Sequence, residues 1–338
     1  MKKQLLFFAL ILLLAVSCKK DDDSASPIYG KWTVISGGGA LGNGGIVKYI
    51  IIEPDSTYYL LHEYGYGLRG FEENLCQVIN GQITFFTDWR FNIFNFNLDG
   101  SNLILNNPDA EIVCERTGNE PSKQEWVKTA ATLSSAIDAP VESNSDLAYD
   151  GEFLWCGGYL NYDDPAYLFK INPATQSVAQ YVPVSNWVNG IEWADGYLWT
   201  SDNGYDCIYK VNAVTGSNLF TSVEMGAWIR GIAFDGQYLW CGSHNAETIY
   251  KYHPVLNTIE ATFKIGCQPG GMAYIQDHLY ICVNGILNKC TVDPLQCVDA
   301  FDIEGGYIHG IAHDGDDFWV YVQFGDETPV YKIYKVSW

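Results

Sequence analysis

The 338-residue chain sets 40 acidic side chains against 19 basic ones, a formal charge of −21. A field of that sign repels phosphate backbones and argues against nucleic acid as a partner; its main service is solubility. Aromatic residues at 15% and 33 glycines suit many short strands joined by tight turns.

The chain begins with Lys2 and Lys3, followed by an apolar run from Leu5 to Val16. The run is too short and wrongly flanked to span a bilayer, and residues 1–17 read as a secretory signal. It ends in LAVSC, small residues directly before Cys18, which resembles the lipobox of bacterial lipoproteins. The resemblance implies that the Cys18 sulfur receives a diacylglycerol and its freed amine a further acyl chain such as palmitate. Each buried methylene contributes roughly 0.8 kcal/mol, so several chains hold a protein at a membrane where one does not. Residue 19 is lysine, not the aspartate that retains some lipoproteins at the inner membrane. The acidic tether of residues 18–27 starts KKDDD, which resembles the Lys-then-acid export signal of surface lipoproteins in some Gram-negative bacteria. The expectation is a protein anchored in outer-membrane lipid through acylated Cys18 and carried on the cell surface.

Residues 28–117 alternate strand-like segments with turns. IVKYIIIE, TYYLLHEY, FEENLCQVI, ITFFT, RFNIFNFNL, NLILNN and EIVCER follow an opening IYGKWTVIS. EPDS, NGQ, DGSN and NPDA supply the Asn, Asp, Gly and Pro of tight hairpins. RFNIFNFNL alternates apolar with polar, the pattern of a half-buried strand. Eight strands in succession predict a small up-and-down barrel. Gly30-Lys31-Trp32 in the first strand with Arg116 in the last resembles the lipocalin pattern. In that family the tryptophan plugs the barrel floor and the arginine stacks across it, so Trp32 and Arg116 are expected to be structural. The barrel is much shorter than a lipocalin, and both a ligand pocket and a filled spacer are open readings.

Residues 118–338 hold a repeat. LAYDGEFLW from Leu147, IEWADGYLW from Ile191, IAFDGQYLW from Ile232, MAYIQDHLY from Met272 and IAHDGDDFW from Ile311 align without gaps, at spacings of 44, 41, 40 and 39 residues. A period of about 40 residues with four strand-like pieces per repeat predicts propeller blades. The last repeat stops after its third strand, whereas EWVKTAATLSSAI upstream of the first resembles a fourth strand. An N-terminal strand that completes the last blade would close the ring and hide its edges. The predicted fold is therefore all-β: the barrel, then five four-stranded blades closed by an N-terminal strand. The repeats resemble extracellular propellers of the beta-lyase, quinoprotein-like and glutamine cyclotransferase types, on a generic motif that identifies architecture and not activity.

Trp155, Trp199, Trp240 and Trp319 repeat faithfully and are assigned to blade cores. Asp150, Asp235 and Asp314 are explained by their Asp-Gly turns, and Cys156 and Cys241 by burial. The loops entering the first strands differ from blade to blade. Asn189, Arg230, Gly270 and His309 stand one residue before a common glycine, and Trp187, Trp228, Gln268 and Tyr307 stand three before it. Packing alone would repeat one residue type around the ring, so this variation marks a binding face. Asp202, Asn203 and His244, in loops after second strands, belong to the same face. Aromatic planes beside Asn, Asp, Arg and His suit a glycan, a peptide or a protein partner.

Glu192 stands where Ala233, Ala273 and Ala312 stand in other repeats, and is the one weak catalytic candidate. His309 and His313 lie four apart on a strand, too far to chelate one metal together. No metal cluster, phosphate loop or Ser-His-Asp order stands out, and no cofactor is expected. Apart from Cys18, nine cysteines remain, an odd number that leaves at least one unpaired or paired between chains. Cys290 and Cys297 flank TVDPLQ and could bridge a hairpin, and Cys76 and Cys114 are the pair in the N-terminal region. The first expectation is a lipid-anchored binding protein without catalysis. Two alternatives stand beside it: a lyase or cyclotransferase using Glu192, Arg230 and His309, and a scaffold of an outer-membrane complex. A carboxylate near the channel with a raised pKa would favour the enzyme.

Overall fold

The computed structural model describes residues 28–337, except 39–40, 42–44, 80, 87–90, 131, 142–144, 160–164, 186, 203–205, 226–227 and 326–327. Cys18 and the whole tether therefore lie outside the described residues. The chain divides into two compact units, Met1–Ala40 with Tyr49–Leu60 and Glu73–Glu120, and Leu41–Lys48 with Leu61–Glu72 and Pro121–Trp338.

Eight strands, Gly30–Ser36, Ile46–Ile52, Thr57–Glu63, Arg69–Ile79, Gln82–Phe86, Phe91–Asp99, Asn102–Asn106 and Glu111–Glu115, pair in sequence order and close as a barrel. The first strand meets the last through Thr33 opposite Glu115 and Val34 opposite Cys114. Period-2 patterning decides which side chains go inside: Ile83, Phe85, Leu103, Leu105, Ile112 and Cys114 are buried while their neighbours in sequence are not. The Phe85 ring centre lies 4.6 Å from that of Tyr58 and 6.0 Å from that of Phe94, so rings fill the middle of the barrel. An eight-stranded barrel is just wide enough to be filled in this way. Trp32 is buried, its Nε1 donates to the Ile28 carbonyl at 2.8 Å, and the Arg116 guanidinium lies 4.1 Å from the Trp32 ring centre. Arg116 also donates to the Tyr29 carbonyl.

The repeats form five antiparallel sheets. Their first strands are Ala148–Tyr149, Ile191–Ala194, Ile229–Phe234, Pro269–Ile275 and Gly306–His313. Each first strand touches those of the blades on either side, and blade 5 touches blade 1, so the ring is closed. The closing strand is Thr132–Asp138, which pairs with Val330–Ser337 through Leu133 opposite Val336 and Ile137 opposite Ile333. Among the described residues that makes five blades and no sixth. One feature goes beyond the sequence reading: Lys128–Thr129 adds a short parallel strand to the outer edge of blade 4, opposite Phe301 and Asp302.

Two local devices explain the recurring motif. In blades 1, 3 and 5 the turn aspartate accepts two backbone N–H bonds through Oδ1, and through Oδ2 it accepts the indole N–H of the core tryptophan. These indole bonds run from Trp155 to Asp150, Trp240 to Asp235 and Trp319 to Asp314, at 2.8 Å each. A buried indole N–H without a partner is costly, so the motif is a structural unit. A lysine stands directly across from the core aromatic in every blade: Lys170 from Trp155, Lys210 from Trp199, Lys251 from Trp240, Lys289 from Tyr280 and Lys335 from Trp319. In blades 1 to 4 its ammonium lies 5.1–6.0 Å from the centre of that ring.

All nine described cysteines are buried thiols. Cys290 and Cys297 face each other across their hairpin, without a disulfide.

Candidate functional site

The common glycine has a steric origin. A Cβ on Gly231 would come 2.2 Å from the Gly270 carbonyl oxygen, and one on Gly310 would come 2.6 Å from the Asp146 Cα. Neighbouring first strands approach so closely at this level that a side chain does not fit. In blade 1 the equivalent position is Asp146. Its carboxyl group turns into the centre, 2.3 Å from where Gly271 would carry a Cβ. There Oδ1 accepts from the backbone of Leu147 at 2.9 Å and Ile311 at 3.3 Å, and Oδ2 accepts from Met272 at 3.1 Å. Burial drives the Asp146 pKa well above the carboxylate range, against the pull of these three N–H bonds and helped by Glu192.

Two residues further along lies a ring of small side chains, Ala148, Ala233, Ala273 and Ala312, with Glu192 as its fifth member. The missing bulk of the alanines makes room for the longer carboxylic acid. Glu192 accepts from Trp193 N at 2.8 Å and Phe234 N at 3.2 Å. Burial raises its pKa to about 8, opposed by those two bonds. The sequence reading found Glu192 but missed Asp146. The signal was available: Asp146 breaks a column of glycines just as Glu192 breaks a column of alanines.

Above Asp146 opens a cleft of about 40 Å³, room for a few water molecules or a small polar group. Arg230, His244, Gln268, Asn284, Tyr307 and His309 line its sides. It is thus off-centre, built by the loops of blades 3, 4 and 5 over the Asp146 of blade 1. The Arg230 guanidinium lies 4.9 Å from the Trp228 ring centre, and the same ring meets His244 at 5.0 Å. Trp228 is held at a φ of 64°, a left-handed conformation that a bulky residue adopts only when its surroundings demand it. Tyr307 stands 4.8 Å from His309, whose Nε2 meets Gln323 Oε1 at 3.0 Å.

The electrostatics of the cleft are one-sided. Burial lowers the pKa of His244 to about 4, with a further push from Arg230. His309 also falls to about 4, chiefly by burial, with Gln323 opposing and Arg230 assisting. Both imidazoles are therefore neutral at pH 7. Burial also lowers the Arg230 pKa, with Tyr307 opposing, but a guanidinium remains charged. Among the described residues no carboxylate lies within 4 Å of Arg230. Arg230 Nε and His244 Nδ1 are buried polar atoms with no hydrogen-bond partner among the described residues.

Not every residue of the expected face joins this cleft. Trp187 is 43% exposed and pairs edge-on with Tyr159 at 5.0 Å, outside the cleft lining. Asn189 uses its backbone, accepting from Asp146 N at 3.0 Å and donating to the Ser201 carbonyl at 3.3 Å. Asp202 is buried, and Asn203 lies outside the described residues. Trp155, Trp199, Trp240 and Trp319 are all buried in blades. His313 takes no part: its ring lies against Phe318 at 4.9 Å, and the bulge between Ile308 and Gly310 breaks the strict alternation that linked it to His309. No group of three metal-ligating side chains occurs among the described residues.

No protein-family profile matches the sequence, and no curated protein matches it. Among solved structures the chain is similar to the crystal structure of Myxococcus xanthus glutaminyl cyclase. The TM-score is 0.51 at 8% identity, over 62% of this chain and 96% of that one. A chain in the crystal structure of a mitotic checkpoint complex aligns with a TM-score of 0.38 at 11% identity, over 86% of this chain and 87% of that one. The first likeness is one of fold, and the second carries no argument.

Proposed function

We propose that this is a lipid-anchored binding protein of a Gram-negative outer membrane, whose propeller mouth takes a glycan, peptide or protein through an anionic group. One observation carries the reading: among the described residues, Arg230 is a desolvated cation with no carboxylate within 4 Å, and its Nε has no acceptor. Leaving such a group unpaired costs free energy that a ligand's carboxylate returns on binding. Trp228 and Tyr307 offer planes to the ligand's apolar parts, and the neutral imidazoles of His244 and His309 add hydrogen bonds. The LAVSC sequence supports lipidation at Cys18. Screening the purified protein against acidic glycans and peptides, then repeating with Arg230→Ala and Trp228→Ala, tests the site. Binding that survives both changes removes it.

A second reading, an enzyme of lyase or cyclotransferase type, is favoured by the acid groups at the channel. Asp146 lines the cleft and Glu192 has a pKa near 8, as a general acid requires. Against it, both carboxyl groups are engaged by backbone N–H groups that hold the blades together. Turnover of glutaminyl peptides or uronic-acid glycans that is lost in Glu192→Gln would establish this reading over the first.

A further inference from the structure

Blade 2 departs from blades 1, 3 and 5 in one countable respect. Asp150, Asp235 and Asp314 stand five residues before their tryptophans, whereas Asp195 stands four before Trp199. The repeat keeps its length, so Ala194 takes the place of the other blades' aspartate and the Asp-Gly pair moves one place on, into a two-residue hairpin with Ala194 opposite Tyr197, Asp195 at φ 52° and Gly196 at φ 82°. Asp195 is left exposed at the tip and makes no bond to Trp199. The Trp199 indole N–H has no hydrogen-bond acceptor among the described residues. Lys210, across from it, has no carboxylate within 4 Å there either, and lies 3.8 Å from the Tyr197 ring centre.

The space beside them is a cleft of about 410 Å³, walled by Trp199, Lys210, Leu219, Phe220, Phe234 and Val255; the exposed Asp195 also belongs to its lining and, among the described residues, pairs with neither Trp199 nor Lys210. Its walls come mostly from the strand ends beside the first-to-second and third-to-fourth strand turns of blades 2 and 3, whereas Arg230 stands at the start of a first strand, so the cleft lies on the opposite face of the ring. A cleft of this size suits a small organic ligand. Two donors at its polar end, an indole N–H and an ammonium, point to an acceptor with negative charge. Blade 1 displays the arrangement complete: Asp150 Oδ2 accepts from Trp155 Nε1 at 2.8 Å and lies 3.6 Å from Lys170 Nζ.

We propose that the blade 2 cleft binds an amphipathic carboxylate, whose carboxyl group bridges Trp199 Nε1 and Lys210 Nζ as the Asp150 carboxylate bridges Trp155 and Lys170. The apolar body of the ligand lies against Leu219, Phe220 and Val255. Leu219 is 51% exposed and Val255 85%, apolar surface that such a ligand would cover. The site is independent of the mouth and of the reading given to it.

Calorimetric titration of the full chain with 3-phenylpropanoate tests this. Binding is expected at about 1 mM, with 3-phenylpropanol at least about tenfold weaker. Lys210→Met should weaken binding about tenfold and Trp199→Phe, which deletes the N–H donor together with part of the ring, about fivefold, roughly what losing one charge-assisted hydrogen bond removes. Lys170→Met should leave it unchanged, because Asp150 already fills that position. Should Trp199→Phe fail to fold, the wild-type indole N–H resonances serve instead: one of them must shift on titration, and Lys210→Met must abolish that shift. The proposal falls if no heat is released up to about 20 mM, or if Lys210→Met binds as the wild type does. It falls equally if Arg230→Ala, and not Lys210→Met, removes the binding, since the ligand would then sit at the mouth.

Discussion

Asp146 and Glu192 divide the five blades between them. Asp146 accepts backbone N–H groups of blades 1, 4 and 5, at Leu147, Met272 and Ile311, and Glu192 accepts those of blades 2 and 3, at Trp193 and Phe234. Each acid stands alone in a column of residues too small to fill the axis. The centre of the ring is thus stitched by two carboxyl groups through bonds that ignore the boundaries between sheets.

Replacing Asp146 by glycine would make the repeat more regular and the protein less stable. Three buried N–H groups lose their acceptor and a void opens on the axis. The expected loss is roughly 2–4 kcal/mol, read from urea denaturation midpoints at pH 6. A change under about 0.5 kcal/mol would show that water replaces the carboxyl group without cost.

Glu192 predicts a pH dependence of stability. Its folded pKa of about 8 lies above the ordinary 4.5, so the folded protein holds a proton that the unfolded chain releases. This contribution is complete below pH 4.5 and is lost as pH rises toward 8. Glu192→Gln should remove roughly 2–4 kcal/mol of the decline between pH 5 and pH 8.5. Asp146 has a raised pKa too, so part of the slope will remain in the variant. Equal slopes in the two proteins would contradict the burial of Glu192 as an acid.

Arg230→Ala should abolish binding at the mouth and leave the melting temperature unchanged or slightly higher, since it removes a desolvated and unpaired cation. Because His244 and His309 titrate near 4, binding measured by calorimetry should show no inflection around pH 6.5. A step there would mean that one imidazole carries the recognition.

Asp235 and Asp195 occupy Asp-Gly turns of similar sequence but different length. Asp235→Ala should cost about 1–2 kcal/mol, because Trp240 Nε1 loses its acceptor. Asp195→Ala should stay within about 0.5 kcal/mol. Thermal melts of the two variants side by side decide this, and equal losses would refute the capping role.

Cys18→Ala should abolish metabolic labelling with radioactive palmitate and release the protein from the membrane fraction, read by fractionation and immunoblot. Labelling that persists in the variant would place the acyl group elsewhere.

What sequence determined here is what depends on neighbours within a repeat. Asp-Gly turns, alternation along strands and the tryptophan of each second strand act over a handful of residues, so barrel, blades and closing strand were all legible. The axis was not, because Asp146 meets Met272 and Ile311 only once five strands have converged. Arg230 and His309 stood out by variation alone. That His244 joins them while Trp187 turns toward Tyr159 was decided by which loops border the off-centre cleft. The column of lysines was present in the sequence and passed unnoticed, since its meaning lies in the register across each sheet. Local spacing fixed the elements. The close approach of distant backbones at the ring centre, where room for one Cβ exists or does not, decided which side chains carry the site.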